Sequence, residues 1–215
     1  MTTDPRKGQD VAAARLAASW LLWYPDEVLL TRLDEIAAVV RDLPRRFAAP
    51  LQAFLDYLAG TPISEVQAHY VATFDMKRKA CPYLTYWTDG DTRNRGRAIL
   101  RFKQAYLASG FDAGGVELAD HLAVVLEFAA VGDRLTGDAL LAEHSGPIHL
   151  LREALATMES AYTYVLDAIV ATLPEPTTEI KARMAQLAAA GPPAEMVGLE
   201  GYPVSVTIEP IGARR

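Results

Sequence analysis

Apolar residues along this chain recur at steps of three and four, the period of one helix face, and almost nowhere in the alternation of a half-buried strand. Leu16, Trp20 and Trp23 keep that spacing, and the helix they imply must end before Pro25, because the residue ahead of a proline is driven out of the α region. Asp26 is placed to cap a second helix, whose stripe is Leu29, Leu33, Ile36, Ala37 and Val40 and which Pro44 closes. A third carries Leu51, Phe54, Leu55 and Leu58 and stops at Gly60. Thr61 and Pro62 then make an N-cap and first-turn pair for a helix bearing Ile63, Val66, Tyr70 and Phe74.

Between Met76 and Asp91 the period weakens, and Tyr83, Leu84, Tyr86 and Trp87 read as a short helix or irregular stretch that walls a groove. Asp91 or Thr92 begins a long helix through Ile99, Phe102 and Tyr106, which Gly110 ends. The next runs from about Glu117 to Val131 with Leu118, Leu122, Val125, Leu126 and Ala129 inward. Thr136 caps a brief helix over Leu140 and Leu141, Pro147 opens one with Ile148, Leu151, Leu155 and Met158, and the last core helix holds Tyr162, Val165, Leu166, Ile169 and Leu173. Pro174 and Pro176 terminate the bundle. An amphipathic helix comes next, from Thr178 to Ala190, then a Pro/Gly-rich tail in which residues 202–210 alone alternate like a strand.

The fold class predicted is all-α, a single-domain helical bundle of about ten helices. Residues 1–8 are expected to be a flexible N-terminus, 9–174 the bundle, and 175–215 a C-terminal helix with its tail. Composition agrees: of 215 residues 51% are apolar and 22% charged, enough to bury one substantial core and far from the low hydropathy of disorder. A net charge of -6 opposes a surface wholly devoted to nucleic acid or anionic lipid. The single cysteine, Cys81, excludes an intrachain disulfide and a cysteine zinc cage. The polar N-terminus, and an apolar stretch broken by Arg15 and ended by Pro25, fit neither a secretory signal nor a membrane span, so a cytoplasmic protein is expected without membrane insertion.

Phosphate-loop, dinucleotide, nucleophile-elbow and zincin motifs are all missing, and an enzyme is not expected. Glu117, Asp120 and His121 would suit two or three metal ligands on a helix, but an exposed polar pair near a helix start explains Asp120 and His121 more simply. No metal and no cofactor is therefore assigned.

Three segments place polar groups where core filling does not need them. Tyr70 and Phe74 form an aromatic pair with Asp75 directly after it, an acid at a helix end where the macrodipole disfavours it. Asp91, Arg93, Arg95, Gly96 and Arg97 set three arginines in a first turn, again against the dipole, with Asp75, Asp89 and Asp91 as partners within the chain. Eight of the 21 basic residues fall between Lys77 and Lys103, which gives the alternative reading of a helical nucleic-acid-binding module. Glu127 interrupts an apolar helix, either paired with Arg93 or Arg97 or as an anionic spot in a hydrophobic groove.

Taken in order, Tyr70-x-x-x-Phe74-Asp75, Gly90-Asp91-Thr92-Arg93-x-Arg95-Gly96 and Glu117-Leu118-x-Asp120-His121-Leu122-x-x-x-Leu126-Glu127-Phe128 resemble the nitrate reductase molybdenum-cofactor assembly chaperones, the delta-subunit or NarJ branch of the TorD-like family. The run Thr85 to Arg93 and the stretch Arg101 to Tyr106 add to the likeness, which covers about Leu16 to Leu173. The resemblance implies a TorD-like fold and a chaperone that binds the N-terminal segment of the apo nitrate reductase alpha subunit. It implies that cofactor insertion is thereby permitted and membrane attachment delayed, with the alpha-beta complex and molybdenum-cofactor biosynthesis proteins as further partners and no nucleic acid. It also places Asp120 and His121 in a region that contacts leader peptides; with Tyr70, Phe74, Asp75, Trp87 and Glu127 they form the expected peptide-binding set. Asp91, Arg93, Arg95, Gly96 and Phe128 are carried over as structural motif residues.

Overall fold

The computed structural model describes residues 5–115 and 117–191. Among them are eleven α-helices and no strand beyond one isolated bridge. The notional strand at 202–210 lies outside the described residues.

Helix α1 (Pro5–Leu21) starts inside the stretch read as the flexible N-terminus. Its inward residues, among them Ala14, Ala17, Ala18 and Leu21, are small or apolar and buried, which lets it lie close against α7 (Leu122–Val131). Nearly every side of α7 is apolar, and such a helix has no water-facing stripe to offer; it runs through the middle of the molecule. The Ser19 hydroxyl donates to the Ala123 carbonyl at 2.8 Å and ties α1 to the first turn of α7. On the far side α8 (Arg134–Glu143) approaches α7 at Gly137, where a Cβ would sit 2.5 Å from the Ala129 Cα.

The rest of the bundle surrounds this pair. Asp26 caps α2 (Glu27–Asp42) by accepting from the Leu29 N–H at 3.0 Å, and α2 packs on α3 (Arg45–Gly60). Helix α4 (Ile63–Tyr70) runs directly into a π-helical turn, Val71–Asp75, and a single 3-10 turn, Arg78–Ala80, leads on to α5 (Leu84–Asp89) and α6 (Arg93–Ala108). Helix α10 (Tyr162–Ala171) packs on α3, α9 (Ser145–Thr157) packs on α10, and α11 (Thr178–Ala190) lies over α9, capped by Thr177.

Four boundaries differ from the sequence reading. The largest concerns α7, which begins at Leu122 and not near Glu117. Residues 118–122 are held instead by backbone bonds to another part of the chain: Leu84 N–H to the Asp120 carbonyl at 3.0 Å, Leu122 N–H to the Pro82 carbonyl at 2.9 Å, and a bridge between Tyr83 and His121. Asp133, not Thr136, caps α8; its carboxylate takes the Leu135 N–H at 3.1 Å and the Thr136 hydroxyl at 2.5 Å. Pro62 and not Thr61 holds the N-cap position of α4. Pro147 stands third in α9, still within the first turn where its missing N–H has no helical acceptor to lose.

Candidate functional site

Where α1 ends and the chain turns into α2, the packed elements part and leave a cavity of about 610 Å³. Its apolar wall is aromatic: Trp20, Trp23 and Tyr24 from the end of α1 and the turn after it, Tyr70 and Phe74 from α4 and the π turn, and Tyr83 ahead of α5. Four carboxylates face it as well, Asp26, Asp75, Glu117 and Glu127, and among the described residues no lysine or arginine lines it, though the Arg32 guanidinium lies 4.2 Å over the Trp20 ring. A π turn adds a residue to one helical turn and so re-aims the side chains beyond it; here it separates Tyr70 from Phe74 and ends with the exposed Asp75.

Tyr70 is the wedge of this wall. Its ring meets Tyr24 edge-on at 5.4 Å, Phe74 at 4.9 Å and the buried Tyr162 at 5.7 Å. Burial, helped by the negative charges of Asp75 and Glu117, pushes its hydroxyl well above the usual tyrosine range. His121 forms part of the floor, stacked on Trp23 at 5.6 Å and edge-on to Tyr83 at 5.1 Å. As N-cap of α7 its Nδ1 accepts from the Ala123 N–H at 3.2 Å, which assigns the proton of the neutral ring to Nε2. Burial holds its pKa down to about 4 despite the opposing charges of Glu117 and Asp120, so at neutral pH it presents an aromatic surface and not a cation. Glu117 accepts from the Tyr83 hydroxyl at 2.7 Å and from the Leu118 N–H at 3.1 Å. Glu127 is half-buried, and the loss of water raises its pKa.

Tyr70, Phe74, Asp75, His121 and Glu127 are thus brought together, while Asp120 and Trp87 lie elsewhere. Asp120 is fully buried, not an exposed partner of His121. One of its carboxylate oxygens accepts from the Thr85 N–H at 3.2 Å and the Thr85 hydroxyl at 2.5 Å. Since Leu84 and Thr85 are the first two residues of α5, Asp120 caps that helix from a distant segment through both its carboxylate and its backbone carbonyl. Trp87 is buried and gives its indole N–H to the Cys81 carbonyl at 2.9 Å; Leu84 and Tyr86 are buried with it, so of the aromatic run read as a groove wall only Tyr83 lines the cavity.

The motif residues have structural places. Arg95 pairs with Asp91 at 3.4 Å, and its guanidinium lies 5.5 Å over Tyr83 and 5.9 Å over Tyr86. Arg93 opens α6, Gly96 has open space beside it, and Phe128 packs in the core on Tyr106 and Phe111. Within the basic stretch Lys77 to Lys103, Arg101 also pairs with Glu143, at 3.1 Å. Glu117 and His121 do not share a helical face, and among the described residues no grouping of His, Cys, Asp and Glu is arranged to hold a metal ion. Sequence reasoning missed Trp20, Trp23, Tyr24 and Asp26 as site residues. The signal available was two of the three tryptophans, a tyrosine and an acid crowded around one helix end.

The sequence profile described as nitrate reductase delta subunit matches residues 41–167. The chain belongs to that family. Within it, the chain is 38% identical over 175 residues to the nitrate reductase-like protein NarX of Mycobacterium tuberculosis (strain ATCC 25618 / H37Rv), a match covering 80% of this chain but 26% of NarX, so the chain spans about a quarter of that relative. It is 32% identical over 158 residues to NarJ of Bacillus subtilis (strain 168), by name a probable nitrate reductase molybdenum cofactor assembly chaperone, covering 73% of this chain and 86% of that one. The fold is shared with the crystal structure of an Archaeoglobus fulgidus protein described as a redox enzyme maturation protein, with a TM-score of 0.55, 20% identity, and 80% of this chain and 94% of that one covered. The described residues of this delta-subunit family member are all-α apart from one isolated bridge, and among them no helix is long and apolar enough to cross a membrane.

Proposed function

We propose that this protein is a cytoplasmic assembly chaperone for a respiratory nitrate reductase, and that its cavity holds the N-terminal segment of the apo alpha subunit while the molybdenum cofactor is inserted and membrane attachment waits. The observation that carries the reading is the character of the cavity: aromatic walls and four carboxylates, with no lysine or arginine among the described residues that line it. That combination suits an amphipathic peptide which buries an apolar face and sets basic residues on the rim. The aromatic wall supplies most of the affinity, because desolvated aromatic anchors dominate such interfaces. Asp75, at the exposed edge, and Glu127, half-buried, supply charge selectivity. Neither the site nor the proposed role involves covalent chemistry. The name of the relative NarJ, a probable nitrate reductase molybdenum cofactor assembly chaperone, supports a nitrate reductase as client, and the character of the cavity supports its binding there.

The test is genetic and biochemical together. Deleting the gene in cells grown on nitrate is expected to leave nitrate reductase protein present but poor in molybdenum and inactive, with wild-type protein restoring both and Glu127→Lys restoring little. Normal molybdenum content in the deletion strain would overturn the proposal.

A further inference from the structure

A second recess of about 380 Å³ adjoins the aromatic cavity, and Ala113 and Glu117 line both. Its floor is preformed. Phe111 rests on Tyr106 at 5.5 Å and on Phe128 at 5.3 Å, and the Tyr106 hydroxyl donates to the Ala119 carbonyl at 2.6 Å. Along its rim stand Leu107, 76% exposed, and Leu118, 40% exposed, two neighbouring large apolar side chains open to water on one recess. Among the described residues Lys103 is the one base in its lining, and the first cavity has none.

We infer that the client segment does not end in the aromatic cavity but continues across Glu117 into this recess, which takes a second apolar anchor of the same peptide. The inference rests on the reading of the first cavity as a peptide site. Continuity argues for the same occupant: Ala113 and Glu117 line both spaces, so a chain extending from the first along them enters the second. Charge fixes its chemistry. Basic residues of the segment fall over Asp26, Asp75 and Glu127, a further one takes Glu117 in competition with the Tyr83 hydroxyl, and an apolar residue beyond it lies between Leu107 and Leu118. Spanning two pockets discriminates against short basic peptides that fill one, because the second anchor binds as part of the same molecule.

The test uses calorimetry with two synthetic peptides, the first ~15 and the first ~30 residues of the catalytic subunit, roughly 22 Å and 45 Å of helix. Against the wild-type protein the longer peptide is expected to bind at least about tenfold more tightly. In the variant carrying Leu107→Asp and Leu118→Asp, both exposed sites, that advantage is expected to vanish while the short peptide binds as before and the melting temperature holds. Equal affinities for the two peptides, or an unchanged preference in the variant, would overturn the second anchor alone. So would ultracentrifugation showing that the wild type self-associates and the variant does not, since the recess would then be covered by a second copy. Failure of both peptides to bind the wild type would overturn the chaperone reading as well.

Discussion

Asp120 is fully buried and caps α5 from a distant segment, and the worth of that cap has a measurable size. In Asp120→Ala the Thr85 N–H and hydroxyl both lose their acceptor in a site without water contact, at about 1–3 kcal/mol for each buried donor left unpaired. Against that, the second carboxylate oxygen is itself buried without a partner, and removing it returns about 1–2 kcal/mol. Taken at the middle of both ranges, the net loss is about 2–3 kcal/mol, which for a chain of this size lowers the melting temperature by roughly 5–10 °C. Asp120→Asn keeps the accepting oxygen and is expected to stay within about 1 kcal/mol of wild type. Thr85→Val, which removes the hydroxyl but not the N–H, is expected to lose about 1 kcal/mol, and combining it with Asp120→Ala should fall short of additivity by a similar amount. Urea unfolding monitored by circular dichroism measures all four. An alanine variant as stable as wild type, or strict additivity with Thr85→Val, would refute the capping argument.

Three further outcomes arise from the packing. Glu159 holds a φ of +53° at the left-handed position of a Schellman turn after α9, with Ser160 N–H on the Leu155 carbonyl and Glu159 N–H on the Ala156 carbonyl, so Glu159→Gly is expected to raise stability by about 1 kcal/mol in the same unfolding assay. Gly137→Ala forces α8 away from Ala129 and is expected to lose about 1–3 kcal/mol, read as a lower melting temperature by calorimetry. Acid should weaken the fold early. Burial lowers the pKa of His69, His121, His144 and His149, so below about pH 6.5 the unfolded chain binds protons that the folded one refuses, and stability falls as pH falls. His121 alone, held near 4, accounts for about 2 kcal/mol by about pH 5. Glu127, raised by burial, works in the opposite direction over the acid range. Unfolding titrations across this range should show a shallower slope in His121→Asn, which keeps a cap acceptor but does not titrate.

Helices whose signals are local were legible in the sequence. Asp26 caps α2, Gly60 and Gly110 stop α3 and α6, and the apolar stripes of α2, α3 and α10 are the buried ones. The stretch from Glu117 to His121 was misread because Leu118 and Leu122 keep helical spacing, while the bonds that hold it non-helical come from residues 82–84, far away in the chain. The same cause hid the role of Asp120: beside a histidine at a helix start it reads as solvated, and only Thr85, 35 positions away, reveals it as an interior cap. Asp75 and Glu127 stood out as acids placed where core filling does not need them, Tyr70 and Phe74 as the aromatic pair beside Asp75, and His121 through the family resemblance, and all five meet at one cavity. Trp20 and Trp23 fit a core stripe, and only their crowding with Tyr24 and Asp26 around one helix end set them apart; their exposure to the cavity depends on where α1 ends relative to α2 and α4, which no local pattern records.

The central claim is that the aromatic cavity is where the client peptide sits, and the three tryptophans report on it separately. Trp20 and Trp23 line the cavity, whereas Trp87 is sealed in the core with its indole N–H on the Cys81 carbonyl. In a nuclear magnetic resonance titration of the isotope-labelled protein with the N-terminal peptide of the catalytic subunit, the indole N–H signals of Trp20 and Trp23 are expected to shift until saturation and that of Trp87 to stay in place. A peptide that binds while leaving Trp20 and Trp23 unmoved, or that moves none of the three at any concentration, would contradict the account.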